Sequence, residues 1–394
     1  MIKNIGFHIK ELNMKPLVIK PVENIEERKA FLSFPWKVYK DDPYWVPPIF
    51  SERVYFTDPK KNPFFENNEA QLYMALRGEE IVGTIAAFTN RRHNEHQNEN
   101  VGFFGFFEVL EDYEAAEALL NTAENWVREK GHAALRGPAQ WNTNDECGLL
   151  VDGFDDLPRI MMTYNPQYYV DYIERAGYKY ARDLWAYQLP VKDFMKNIGD
   201  RLERITTKIL ERKEITIRKL NMKIFDEEVA KVKLLYNEAW SQNWGFVPMT
   251  DSEFDKLAEG LHDILDPDLV YIAEKDGKTV GFSITLPDLN EALHRAYPKP
   301  NTPEWWVMAK LGWYWKVQKS VTWVRVLVLG VIPEYRKSGI DALFYYKSAQ
   351  AALKKGMKMA EMSWILDNND KMNRPILAMG GEVYKTYRFY EKAL

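Results

Sequence analysis

Two stretches of the chain carry the same alternation of apolar and polar positions. Leu72–Phe88 (LYMALRGEEIVGTIAAF) is an alternating run, a polar turn at Arg77-Gly78-Glu79-Glu80 and a second alternating run. That pattern predicts a β-hairpin. Val270–Leu286 (VYIAEKDGKTVGFSITL) repeats it 198 residues later, with Lys275-Asp276-Gly277-Lys278 at the turn. In one register Tyr73 matches Tyr271, Ala75 matches Ala273, and Val82-Gly83 matches Val280-Gly281. The short strand-like runs Leu17–Val22 and Ile215–Leu220 stand at the same 198-residue offset. Such a period is far too long for a solenoid and reads as a duplicated domain.

The rest of each half follows the same plan. A strand comes after each hairpin, at Val101–Val109 and within Val321–Ile332. An amphipathic helix is next, at Tyr113–Lys130 and Ile340–Lys355, and each stops at a glycine, Gly131 or Gly356. A short strand then follows, Ala133–Arg136 or Met359–Ile365. The predicted fold is α/β, two tandem domains each with a mixed, mostly antiparallel central sheet flanked by helices. The charged stretch 191–213 has helical apolar spacing and is predicted to be a linker helix between a domain at 1–190 and one at 214–394. Between hairpin and third strand the halves diverge. The first has a polar loop, Asn90–Asn100. The second has an insertion, 290–319, carrying Trp305, Trp306, Trp313, Tyr314 and Trp315 among Lys299, Lys310, Lys316 and Lys319.

Composition narrows the function. A net charge of −4 excludes a polycationic nucleic-acid binder as the default. One cysteine excludes a disulfide framework and a Cys-rich metal site, and six scattered histidines argue against dedicated zinc, so no metal is expected. The first residues lack an apolar signal core, and the apolar run Val321–Ile332 is short and broken by Arg325. A cytoplasmic protein with a reduced thiol is the resulting expectation. Aromatic residues make up 14% of a chain whose mean hydropathy is −0.44. With their densest run in the insertion, they suggest an apolar acyl groove or a rest at a membrane surface, where Trp tolerates both phases and Lys reaches headgroups. The plainer alternative is that they plug the insertion's own core.

The sharpest local feature is Val326–Leu343, VLVLGVIPEYRKSGIDAL. A buried strand ends near Pro333, and a helix starts near Ile340. Unpaired N–H groups at a helix N-terminus, with the helix dipole, make an anion cradle. Gly339 permits close approach, and Arg336 and Lys337 add charge. A solvated turn is the bland alternative. At the matching place the first half reads Glu108-Val-Leu-Glu-Asp-Tyr-Glu, acidic and without glycine; it is predicted to hold no such ligand.

In this order of elements the chain resembles the GNAT acyltransferase superfamily, in tandem form. There an Arg/Gln-x-x-Gly-x-Gly/Ala turn after the fourth strand holds the pyrophosphate of acyl-CoA. Arg336, Gly339 and Asp341 stand at the matching positions, with Lys337, Ser338 and Ile340 between them. Asp341 departs from the family's small residue, which leaves open an acyl carrier protein donor. GPAQWNTNDECGLLVDGF (Gly137–Phe154), YNPQYYVDYIERAGY (Tyr164–Tyr178), NWGFVP (Asn243–Pro248) and YKTYRFYEK (Tyr384–Lys392) resemble a bacterial branch that includes lipid N-acyltransferases of the bacterial ceramide synthase type. The resemblance implies N-acyl transfer from acyl-CoA or acyl carrier protein to an amine, a sphingoid base being one option. A short-chain acetyltransferase or a non-catalytic GNAT scaffold is the alternative.

It also implies site roles. The donor's pantetheine would pair with backbone near Leu329 and Val331, and the amide near Val331 would meet the oxyanion. Glu361, sharing a strand face with Ser363 and Ile365, is the candidate base, with a salt bridge as the equal alternative. The family's helix tyrosine falls at Ile376 here, which leaves Tyr387 or Tyr390 as substitutes for the acid. Asn373, opening the last helix, would contact the donor or cap that helix.

Asn142, Asn144, Asp145 and Glu146 form a polar cluster that is either a capped turn or an acceptor site, and Trp313 is a candidate acyl contact. Cys147 has no histidine at a partnering signature and is expected to be a bystander. His93 and His96 are expected to be solvated, and peripheral membrane contact is left open.

Overall fold

The computed structural model describes residues 15–336 and 338–394 of the chain. Its strands in chain order are β1 (Leu17–Pro21), β2 (Ala70–Arg77), β3 (Glu80–Thr89), β4 (Val101–Val109), β5 (Ala134–Gly137), β6 (Leu149–Asp152) and β7 (Lys179–Pro190). There follow β8 (Thr216–Lys219), β9 (Val270–Lys275), β10 (Lys278–Pro287), β11 (Trp323–Val331), β12 (Met359–Leu366) and β13 (Glu382–Ala393). The chain divides into two compact units. The first holds the residues up to Asp183 with Ala296–Ala309 and Tyr387–Leu394; the second holds Leu184–Arg295 and Lys310–Thr386.

The first unit's sheet runs β1-β2-β3-β4-β5-β13, with β6 also on β13. The second unit's runs β7-β12-β11-β10-β9-β8. Along these two paths the pairings are antiparallel except β4 with β5 and β11 with β12, which are parallel. The repeat holds at the level of register: Tyr73 pairs Ile85 as Tyr271 pairs Ser283, and Gly83 pairs Val109 as Gly281 pairs Val331. Each sheet also takes a strand from the far end of the other half of the sequence. Tyr390–Ala393 lie on β5 in the first unit, and Leu184–Pro190 lie on β12 in the second.

Each sheet is covered by the helix that follows its long strand. In the first unit α1 (Tyr113–Glu129) buries Ala115, Ala116, Leu119, Leu120, Ala123 and Val127. The stretch expected to be a linker is helical, at Val191–Phe194 and in α2 (Asp200–Arg212), but it belongs to the second unit. Phe194 and Leu210 are buried in that unit's core clusters, so these helices are a packed layer of that unit. There α3 (Phe225–Trp240) packs Val232 and Leu235 with Phe282 of β10.

Two sequence expectations are corrected. The polar loop after the first hairpin contains a helix, Arg91–Gln97, because the Asn90 side chain caps it by accepting from the His93 N–H. His93 is 2% exposed, and its ring meets Glu99 at 2.9 Å, so it is a buried structural residue and not a solvated one. The aromatic excess is also not confined to the insertion. Trp141, buried in the first unit, has the rings of Phe56, Phe64, Phe65, Phe88 and Phe106 around it at 4.8–6.2 Å. In the insertion, helix Asn290–Ala296 is followed by α4 (Glu304–Gly312), where Trp305 is 70% exposed.

Candidate active site

The second unit contains a fork. β11 and β12 pair only from Trp323↔Met359 to Val326↔Met362. Just beyond, β11 bulges, since Ile284 faces Val328 while Thr285 faces Val326, leaving Leu327 as the extra residue. Ile332 N–H donates to Val280 O at 3.1 Å, and alternation from that bond turns the N–H and C=O of Leu329 and Val331 away from β10, toward the gap.

The strand then enters the basic turn. Arg336, exposed, donates to Val331 O at 3.3 Å and to Ala239 O at 3.0 Å. Gly339 takes φ +84°, the left-handed conformation that glycine adopts without strain, and begins α5 (Ile340–Lys354) with no side-chain cap. The first N–H groups of α5 therefore have no capping side chain and keep their pull on an anion. Ser338 is 1% exposed and its hydroxyl has no hydrogen-bond partner among the described residues. Ile340 is 1% exposed in the core, so only its backbone remains for a ligand. Asp341, half-buried, lies in the first turn of α5. Lys337 lies outside the described residues. An uncapped helix start beside a buried, unpartnered hydroxyl fits a phosphate group.

The first unit has the same fork, filled by its own chain. β4 and β5 pair from Val101↔Ala134 to Phe103↔Arg136. Ala139 N–H then donates to Phe104 O at 2.9 Å, and Gln140 Oε1 accepts from Phe106 N–H at 3.2 Å. The approach is so close that a Cβ on Gly105 would stand 1.8 Å from Ala139 O. The start of α1 is filled too. Asp112 caps it, accepting from Ala115 N–H at 3.2 Å, and is held by buried Arg77 at 2.7 Å.

At the root of the second unit's fork sits a buried polar cluster. Val324, Val326, Ala360 and Met362 line a cavity of about 30 Å³ with Tyr345 and Ser348 of α5. Strand alternation therefore sends Arg325 and Glu361 to the other face. Glu361 is wholly buried. Ser363 Oγ donates to its Oε1 at 2.5 Å, Arg325 Nε lies 3.6 Å from the same oxygen, and Tyr384 OH donates to Oε2. Arg325 also donates to Ser363 Oγ at 2.8 Å. Ile365 does not share this face as expected: the register shifts after Met362, and Ile365 packs with Met362 on the α5 side.

The other expected site residues are placed as follows. Tyr387 is fully buried and falls in the first unit's segment Tyr387–Leu394. Asn373 does not open its helix α6 (Asp370–Ala378) as a cap; it is 3% exposed, donates to the carbonyls of Leu366 and Asp367, and accepts from Tyr187 OH at 3.0 Å. Its amide is thus engaged internally. In the first unit Asn142 accepts from Asn144 N–H at 2.6 Å, and Glu146 is bound by Arg53 at 2.6 Å. Trp313 is 54% exposed in the second unit. Cys147 is buried. Sequence reading missed Arg325, Ser363 and Tyr384 as a group, although a charged Arg inside an apolar strand was the available signal.

No family model matches the chain. Over 381 residues it is 34% identical to protein YghO of Escherichia coli, covering 96% of this chain and 95% of that one. Over 383 residues it is 35% identical to the bacterial ceramide synthase of Caulobacter vibrioides, covering 96% and 98%. Among solved structures, a tandem GNAT protein from the clavulanic acid biosynthesis pathway aligns with TM-score 0.55 at 12% identity, covering 96% of this chain and 98% of that one. The chain belongs to the family of YghO and bacterial ceramide synthase, and its fold is that of the tandem GNAT proteins. Among the described residues no group of His, Cys, Asp and Glu forms a metal site, and no helix is long and apolar enough to cross a membrane.

Proposed function

We propose that the second unit binds an acyl thioester, acyl-CoA or acyl carrier protein, and transfers its acyl group to the nitrogen of a long-chain amine of the sphingoid type. The observation that carries this reading is the contrast between the forks: an uncapped helix start beside exposed Arg336 in the second unit, a strand edge and a helix start satisfied by the chain itself in the first. Arg336, Ser338 and the backbone N–H groups from Gly339 to Asp341 would hold the donor's phosphate. Asp341 nearby favours a donor with little phosphate charge, such as the single phosphate of a carrier protein's pantetheine arm. Leu329 and Val331 would pair with the pantetheine, and the Val331 N–H would face the oxyanion as charge develops there. Glu361 would serve as the proton acceptor. The lipid character of the acceptor rests on the ceramide synthase relative and on the exposed Trp305, Trp306 and Trp313, 70%, 47% and 54% accessible, which suit a membrane surface.

Calorimetry with palmitoyl-CoA and with palmitoyl-acyl carrier protein tests the donor, and mass spectrometry of N-palmitoyl product from sphinganine tests the transfer. Arg336→Ala is expected to weaken donor binding at least about 10-fold, the loss of one charge-assisted contact. Binding of neither donor by the wild-type protein would overturn the reading.

A further inference from the structure

Glu361 is 0% exposed, so an amine entering the fork does not reach its carboxylate directly. Tyr384 does connect it outward. Its side chain is partly exposed, and its hydroxyl donates to Glu361 Oε2. The ring is held against Trp323 at 5.9 Å. Glu361 pairs across the sheet with Arg325, one residue before the last paired position, so this cluster stands where β11 and β12 begin to part. Arg325 and Ser363 occupy the other carboxylate oxygen, Oε1. Oε2 is thus the atom that faces the tyrosine.

We propose that Tyr384 is the group that meets the amine, and that it works with Glu361 as a two-residue proton relay; this rests on the acyl-transfer reading above. The ammonium R–NH3+ gives a proton to Tyr384 Oη as the Tyr384 hydroxyl proton passes to Glu361 Oε2. The neutral amine attacks the thioester carbonyl, forming the C–N bond. The adduct collapses with cleavage of the C–S bond and loses its surplus N–H proton to water. Glu361 returns its proton through Tyr384 to water, and the departing thiolate takes a proton from water and leaves as the thiol. One proton is released to solvent per turnover, and the relay ends as it began. Arg325 and Ser363 are positioning residues: they fix the carboxylate so that Oε2 points at Tyr384.

Tyr384→Phe tests this, because the ring and its packing on Trp323 are kept. Wild type and variant are compared for palmitoyl-CoA binding and for turnover with two amines: sphinganine, charged at neutral pH, and hydroxylamine, already neutral there. The relay predicts unchanged donor binding, a 10- to 100-fold fall in kcat with sphinganine, within the range of acid–base catalysis, and hydroxylamine turnover within about twofold of wild type. A folded Tyr384→Phe protein that keeps full sphinganine turnover, or that loses both amines equally, overturns the relay. Failure of the wild-type protein to bind either palmitoyl-CoA or palmitoyl-acyl carrier protein overturns instead the acyl-transfer reading on which it stands.

Discussion

The two halves share a register, a bulge and a fork, yet differ in what fills the fork. In both, the long strand gains one extra residue at the bulge, between Ala86↔Gly105 and Thr84↔Glu108 in the first and between Thr285↔Val326 and Ile284↔Val328 in the second. In the first half Ala139 and Gln140 hydrogen-bond to the freed strand edge, and the carboxylate of Asp112 takes the helix N-terminus. In the second, Gly339 leaves that terminus uncapped. A helix start attracts one anion well. Once the chain supplies its own carboxylate there, a phosphate has no place. Duplication thus kept the architecture twice, while a handful of positions decide where a donor fits.

The comparison is tested most strongly at Arg77. It is 3% exposed at its side chain and pairs with Asp112, 5% exposed, and with exposed Glu114. Arg77→Ala leaves a buried carboxylate without its cation, and the expected loss is about 3–5 kcal/mol, read from the urea midpoint. Palmitoyl-CoA affinity of the folded fraction stays unchanged if the first half holds no donor. A loss below about 1 kcal/mol would mean that the first helix start tolerates an open state like its counterpart.

Next in size is Glu108, which occupies on β4 the register held on β11 by Gly330, cross-strand from Thr84 as Gly330 is from Phe282. Burial pushes its carboxyl up to about 7, although hydroxyls of Tyr39 at 2.8 Å and Tyr169 at 2.9 Å donate to it and pull the other way. The folded protein therefore keeps a proton here that the unfolded chain, with its ordinary value of 4.5, has lost. This stability is fully present below pH 4.5 and is lost as pH rises through about 7. The shift corresponds to about 3 kcal/mol across that window. Glu108→Gln, measured by denaturation at pH 5 and pH 8, should flatten the dependence by that amount. An unchanged pH profile would show that the group titrates normally.

Much of this comparison was legible in the sequence. The hairpins, the long strands and the helices after them announce themselves through alternation, helical spacing and terminal glycines, and those signals are local. The basic turn and its acidic counterpart were legible for the same reason. The plug was not, because Ala139–Trp141 reads as an ordinary loop, and only the absence of a side chain on Gly105, far away in sequence, lets it dock. The Arg325–Ser363–Glu361–Tyr384 cluster was hidden in another way. Its members come from three strands, so no spacing in the sequence joins them. Exchange of the strand segments Leu184–Pro190 and Tyr390–Ala393 leaves no compositional mark either, since each strand satisfies its neighbour wherever it lies.

The smallest expected effect separates backbone strain from ligand binding. Gly131 and Gly339 both hold φ at +84°. Gly131 ends α1 in the first half, and a Cβ there would meet nothing within 4 Å. Gly339 begins α5 in the second, where a Cβ would touch Thr206 Cγ2 at 3.4 Å, an ordinary contact. Alanine at either position is therefore expected to cost about 1–2 kcal/mol, the strain of a left-handed L-residue, and nothing more in stability. The two variants should melt alike. They should differ toward palmitoyl-CoA: Gly131→Ala binds as wild type, whereas Gly339→Ala strains the backbone at the point where the first N–H groups of α5 begin and weakens binding. Equal affinity in both variants would place the donor elsewhere than the start of α5. A fall in affinity in both would show that strain alone, and not the cradle, governs the measurement.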